Sequence, residues 1–246
     1  MTIPELHDLL VRQMLGVHSR FPDLLLEKRA EGAFVVTGAL SFRMEHEQRE
    51  ILDSYEVEIR VPPSYPQSPP AVKEVGGRIP KDFHTHADDE TLCLGAPLAV
   101  SMAFAQHPTL LGYIERQVVP FLFGYSYKAK YGAMPFGELP HGTPGILQYY
   151  RELFGVDQNM KTLGLLKILA DGNYRGHMPC PCGKGPKLRN CHGPQLLEIK
   201  KHRSPEWFVN ECVTLLVHVK GDDNIGKYQA VLPKEITEGT RRTRKR

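Results

Sequence analysis

No stretch of the 246 residues approaches the roughly 20 consecutive apolar residues that a membrane-spanning helix needs, so no span is expected. The N-terminus has no basic leader region and sets Glu5 and Asp8 among its leucines. No signal peptide is therefore expected, and the chain reads as a cytoplasmic protein. The five cysteines do not form the evenly spread pattern of a disulfide framework: three fall within twelve residues, while Cys93 and Cys212 stand alone. In a chain without export signals, clustered cysteines point to a metal and a lone exposed one points to chemistry. Internal repeats are absent. A charge imbalance is absent too, because the net +3 rests on Arg241, Arg242, Arg244, Lys245 and Arg246; subtracting those five leaves −2. Such a bare terminal run is read as a solvated end rather than a nucleic-acid surface.

What remains is ordinary for a globular protein, 41% hydrophobic and 24% charged, in a chain long enough for one good-sized core and a minor module. Leu6, Leu9, Leu10, Met14 and Val17 share one helical face, and Phe21-Pro22 ends that helix. Phe34 to Thr37 reads as a strand. Tyr55, Val57, Ile59 and Val61 alternate with Ser54, Glu56, Glu58 and Arg60, the period of two that marks a strand with one wet face. Pro62-Pro63 must stop it, because proline lacks the ladder N–H. A further short strand fits Ala71 to Val75. One helix followed by an antiparallel meander makes the opening segment α+β.

Residues 76–108 carry no periodicity but hold three histidines and Cys93, and so long a structureless run is usually functional. Helix resumes at Leu111, Ile114 and Val118, interrupted by Pro120. Another is expected from Thr143 as N-cap and Pro144 at its first position to Phe154, with Gly155 past its end. A short helix containing Leu163, Leu166, Ile168 and Leu169 precedes the cysteine cluster. Ser204-Pro205 opens a last one through Phe208, Cys212, Leu215, Leu216 and Val219, with Cys212 on its apolar face. The expected domains are 1–155, 156–195 and a helical extension with the basic tail, 196–246.

In the cluster, Cys180 and Cys182 lie one residue apart, and eight residues later follows the adjacent pair Cys191-His192. Three soft thiolates and an imidazole make a closed tetrahedral set, the arrangement of structural zinc; a catalytic zinc would keep an open position. Gly183 and Gly185 allow tight turns that aim amides at the sulfurs. The run closely resembles the SEC-C motif, a short zinc-binding motif known as a protein-interaction appendage, with Gly193 following as it often does there.

Around the lone cysteine, Tyr65-Pro66-Gln67-Ser68-Pro69-Pro70 directly follows the alternating strand. Phe83-His84-Thr85-His86 precedes Thr91-Leu92-Cys93-Leu94, and Gln106-His107-Pro108-Thr109 opens a helix. Over roughly residues 1–125 this order resembles the ubiquitin-conjugating (UBC-like) family. There a helix and four-stranded meander lead to a Tyr-Pro-x-x-Pro-Pro turn, a His-Pro-Asn tripeptide, a catalytic cysteine and a Trp-x-Pro helix start. The resemblance implies that Cys93 accepts, as a thioester, the C-terminus of a ubiquitin-like modifier or of a partner protein. An activating enzyme would supply it, and Cys93 would pass it to a target amine or thiol. Sulfur suits this task as both nucleophile and leaving group. His84 and His86, nine and seven residues before Cys93, are the candidate catalytic neighbours. Two departures stand out: Thr85 occupies the position of the family's asparagine, and Gln106 that of its tryptophan. They resemble divergent bacterial members of the family, some of which accompany antiviral signalling nucleotidyltransferases and modify them. Such an enzyme is therefore a candidate target. Two rivals share these residues: a catalytically silent UBC-like scaffold binding partners through the knuckle and tail, and a cysteine hydrolase using Cys93 with His84 or His86.

Overall fold

The computed structural model describes residues 2–137, 142–185, 187–220 and 231–234. The chain forms two compact units, Met1–Glu138 and Leu139–Arg246. The basic tail lies outside the described residues.

The first unit opens on helix α1 (Ile3–Arg20), fixed at its start by a reciprocal cap: the Glu5 amide donates to Thr2 Oγ1 and the Thr2 amide to Glu5 Oε2. Its buried stripe is Leu6, Leu10, Met14 and Val17, and it ends at Phe21. Four antiparallel strands follow in spatial order β1 (Leu25–Lys28), β2 (Phe34–His46), β3 (Arg49–Val61) and β4 (Ala71–Glu74). The alternation read in β3 holds: Tyr55, Val57, Ile59 and Val61 are buried, and the strand stops before Pro62. Two strand features differ from expectation. β1 was not foreseen, because its four residues show no alternation of burial. β2 runs on past Thr37 through Gly38, whose φ of 131° and whose site only 2.1 Å from the Asp23 carbonyl for any added Cβ admit glycine alone. Glu47 and Gln48, both at positive φ, make the two-residue turn into β3.

The run expected to lack structure contains a helix, α2 (Pro97–Gln106). Leu98, Ser101 and Phe104 are buried, but almost every residue is apolar, so no polar stripe announced it. Thr109 caps the next helix, its hydroxyl accepting from the Gly112 amide at 3.0 Å. Pro120 does not interrupt that helix as expected. α3 (Leu110–Tyr113) widens into a π-helical turn (Ile114–Val118) that continues as α4 (Val119–Tyr131). A wider turn accommodates a residue that lacks an N–H and crowds the preceding carbonyl. The Tyr65-Pro66 bond, which is cis, sits in a turn anchored from inside. The buried Tyr65 hydroxyl donates to Gln13 Oε1 at 2.5 Å, and that oxygen also accepts from the Leu110 amide at 2.8 Å.

The second unit is helical: α5 (Gly142–Phe154), α6 (Asn159–Ala170), α7 (Gly193–Ile199) and α8 (Pro205–Lys220). The boundary between the units falls before α5, earlier than the 155 read from the sequence, because α5 packs on α6 and α8 through Tyr150, whose hydroxyl donates to Glu211 at 3.0 Å. Thr143 is the second residue of α5, two past the N-cap position expected of it. Gly155, at φ 59°, ends that helix as expected, with the Val156 amide returning to the Arg151 carbonyl. Ser204 caps α8 through the Trp207 amide, and Cys212 is fully buried on its inner face. No helix among the described residues is long and apolar enough to cross a membrane.

Candidate metal centre and cysteine loop

Between α6 and α7 the chain folds back so that Cys180, Cys182, Cys191 and His192 present one ligand atom each, all within 4.8 Å of one another. The spacing of Sγ and N atoms fits one ion. Cys180 Sγ is 3.2 Å and Cys191 Sγ 3.3 Å from His192 Nδ1, and Cys182 Sγ is 3.5 Å from Cys191 Sγ. Tetrahedral bonds of ~2.3 Å to sulfur and ~2.0 Å to nitrogen would set such edges at about 3.5–3.8 Å. These four residues could bind a metal ion. The sequence placed all four correctly in one cluster, because adjacent Cys191-His192 and the one-residue Cys180–Cys182 spacing are local features.

The surroundings complete the set. The far imidazole nitrogen, His192 Nε2, lies 2.7 Å from the carbonyl of Phe154, to which it donates in the tautomer that leaves Nδ1 free for the cluster. Gln195 Nε2 donates to the Leu153 carbonyl at 2.5 Å, so the end of α5 finds partners for two of its open carbonyls. The Lys184 amide donates to Cys182 Sγ at 3.4 Å, as the glycine-flanked loop led one to expect. Gly185 is fixed by packing: a Cβ there would lie 2.7 Å from Cys191 Cβ and 2.8 Å from its Sγ. Burial opposes charge on Cys182, yet the Lys184 amide and the neighbouring thiols bring its pKa down to about 6. Burial first, then the adjacent sulfurs, push Cys191 up to about 11. Three thiolates this close repel one another, and a cation among them removes that conflict. The Phe154 carbonyl carried no signal in the sequence beyond the helix end before Gly155.

Cys93 sits in a different setting. Residues 84–93 fold as a narrow loop: the His86 amide donates to the Thr91 carbonyl at 2.8 Å, Thr85 and Leu92 form a β-bridge, and the Cys93 amide donates to the His84 carbonyl at 2.6 Å. The Leu92 amide donates to the Val72 carbonyl at 2.7 Å and ties the loop to β4. Leu92 is buried while Cys93 is half-buried, its Sγ 3.8 Å from the Gly95 carbonyl. Of the five cysteines, three belong to the cluster and Cys212 to the core; Cys93, half-buried on its loop, is the one outside both.

The candidate histidines divide. His84, half-buried at a φ of 43°, packs its ring edgewise on Phe83 at 4.9 Å, and its main chain holds Cys93. His86 is exposed near the tip. Thr85 does not offer its hydroxyl in place of the family's asparagine, since it donates to the Phe83 carbonyl at 2.9 Å. The acidic tip is structural: burial works against charge on Asp89, but the Thr91 hydroxyl and amide hold its carboxyl below the usual range, and Glu90 pairs with Lys81. Among the described residues His84, His86 and Cys93 form no metal-ligand group.

Sequence reading missed a polar knot in this unit. Arg78 grips the Asp53 carboxylate with both terminal nitrogens, at 2.7 and 3.1 Å, and covers the Tyr55 ring at 4.2 Å. Ser126 donates to the same carboxylate at 2.7 Å, and Tyr125 donates to the Arg78 carbonyl at 2.8 Å. Asp53 could have been singled out as a charge within the hydrophobic alternation of β3.

No protein-family model matches the chain, and neither does any curated protein or solved structure.

Proposed function

We propose that the first unit is a UBC-like conjugating domain and that Cys93 carries an acyl group as a thioester. One observation carries this reading: Cys93 is the one cysteine outside both the metal cluster and the core, half-buried on a loop pinned to β4. The helix, the four-stranded meander and the anchored Tyr65-Pro66 turn support it by occurring in the order the resemblance implies. In the proposed reaction the Cys93 thiolate attacks the activated C-terminal carbonyl of a ubiquitin-like modifier, or of a partner protein, on an activating enzyme. That enzyme's thiol leaves. A target amine then attacks the thioester carbon, Cys93 departs as thiolate, and the amine's proton passes to a base, for which His84 and His86 are the candidates. A signalling nucleotidyltransferase of a bacterial antiviral system is the proposed target. The setting is the cytoplasm, where thiols stay reduced. In the second unit the proposed metal is zinc, held by Cys180, Cys182, Cys191 and His192 in a structural role, since four protein ligands leave no open position.

One observation favours the rival scaffold reading. The Thr85 hydroxyl is committed to the Phe83 carbonyl, so that position supplies no side-chain donor for an oxyanion. The two readings separate in one experiment: intact-mass measurement after mixing the protein with ATP, an activating enzyme and candidate modifiers. A thiol-sensitive adduct on Cys93 supports the carrier, and absence of any adduct with every modifier leaves the scaffold.

A further inference from the structure

Helices α6, α7 and α8 enclose a cavity of about 220 Å³, floored by Leu169, Leu196 and Phe208 and flanked by Lys200 and Arg203. Neither cation makes a direct ion pair among the described residues, although Arg203 feels the charge of Glu211; the ion pairs of this unit join Lys161 to Asp157, Lys167 to Asp171 and Lys201 to Glu198 instead. Arg203 is the more telling of the two. Its Nε is buried and meets no hydrogen-bond partner, and its guanidinium stacks over Trp207 at 5.2 Å. The nearby acid, Glu211, accepts its hydrogen bond from the Tyr150 hydroxyl rather than from Arg203; burial raises its pKa, against the opposing pull of Tyr150 and of the Arg203 charge. A guanidinium stays charged in proteins, and a half-buried one with a buried donor left unmet gains from an anion that reaches it.

We propose that this cavity receives the free C-terminal carboxylate of a peptide chain ending in a large apolar residue. The carboxylate lies against Arg203 and Lys200, and the terminal side chain fills the apolar floor. Charge complementarity selects an acid, and the planar fork of arginine matches a carboxylate with two parallel hydrogen bonds. Size selects a chain end: at 220 Å³ the cavity is below the ~300–1,000 Å³ typical of a whole small-molecule ligand. Capture of a C-terminal carboxylate is a recurring mode of peptide recognition. The inference is independent of acyl transfer at Cys93, and its test is run on a Cys93→Ala background as well as the wild-type chain.

Trp207 is the chain's single tryptophan, so its emission reports on Arg203 directly. Full-length protein is titrated with Ser/Gly hexapeptides ending in Leu, Ile or Phe, each as free acid and as C-terminal amide, and binding is followed by Trp207 fluorescence and by calorimetry. At least one free acid binds saturably and its amide is weaker by about tenfold or more, as loss of a charge-assisted hydrogen bond dictates. Lys200→Gln, an exposed change that leaves the fold intact, weakens the acid and not the amide; Arg203→Gln does so more strongly. The proposal is overturned if acids and amides bind alike or if no acid binds. It is also overturned if N-acetyl-leucine binds as tightly as the peptides, which would make the cavity a site for small acids.

Discussion

The amide of Cys93 donates to the carbonyl of His84 across 2.6 Å, so two residues nine apart in the chain are held side by side by main-chain atoms. The Thr85–Leu92 bridge and the Leu92–Val72 hydrogen bond extend this pairing to the edge of the sheet. The position of the candidate nucleophile is therefore set by backbone geometry, and a side-chain change in the loop leaves it in place. His84 adopts a left-handed conformation to make this bond, at φ 43°. Histidine tolerates that region better than most residues, and backbone outliers of this kind cluster at functional sites.

The two histidines are expected to separate under mutation. His84→Ala should slow discharge of the Cys93 thioester by about 10²-fold if its imidazole takes the acid-base role. His86→Ala, an exposed change at the loop tip, should leave the rate within about threefold of wild type. Single-turnover discharge to a lysine acceptor measures both. The reverse order of effects would assign the role to His86.

Purified protein is expected to hold one zinc per chain. Cys182→Ser should remove it and loosen the second unit, because metal binding there is also folding free energy. Gly185→Ala tests the packing independently of the ligands, since its Cβ would collide with Cys191. That variant should retain less zinc although all four ligands remain. Metal analysis and near-ultraviolet circular dichroism read both effects; full zinc content in Cys182→Ser would remove Cys182 from the ligand set.

Local signals were the legible ones. The α1 stripe, the β3 alternation, the proline stop at Pro62 and the spacing of Cys180, Cys182, Cys191 and His192 could each be read within a few residues, and the structure has all of them. Features that depend on distant partners were not. β1 exists because it pairs with β2, and α2 hides in apolar residues that bury it nearly all round. Arg78 reaches Asp53 from 25 residues away, and Arg203 gains meaning only from the helices that enclose it. Pro120, read as an interruption, is absorbed by a π-helical turn, an option open only to a helix whose flanks pack well enough to hold it.

The Asp53–Arg78 pair should make stability fall in acid. Burial opposes charge on Asp53, but hydrogen bonds from Arg78 and Ser126 outweigh it and lower its pKa to about 2 from 3.8. A depressed carboxyl contributes stability that is complete above its unfolded pKa and is lost as pH falls through the folded one. The window is therefore from about pH 4 down to about pH 2. Arg78 is half exposed, so after solvent screening the contribution is about 1 kcal/mol. Thermal melts of wild type and Asp53→Asn should differ at pH 7, draw together below about pH 4 and converge only below about pH 2; a gap that stays the same from about pH 7 down to about pH 2 would show that the knot is held by packing alone.

The decisive substitution for the proposed acyl carrier is at Cys93. Cys93→Ala should abolish conjugation while moving the melting temperature little, because the side chain is half-buried on a loop and its only sulfur contact of note is the Gly95 carbonyl at 3.8 Å. The contrast is Cys212→Ala, which empties a fully buried site in α8 and should destabilise the second unit without touching transfer. Cys93→Ser should trap the modifier as an oxygen ester, since an alkoxide leaves less readily than a thiolate. That adduct should survive thiol reductant, and the wild-type adduct should not. Intact mass before and after reductant distinguishes the two chemistries without knowledge of the target. Conjugation surviving in Cys93→Ala would move the acyl group elsewhere, and gross unfolding of that variant would make Cys93 a packing residue. A serine adduct as labile to reductant as the wild-type one would place the bond on a different thiol.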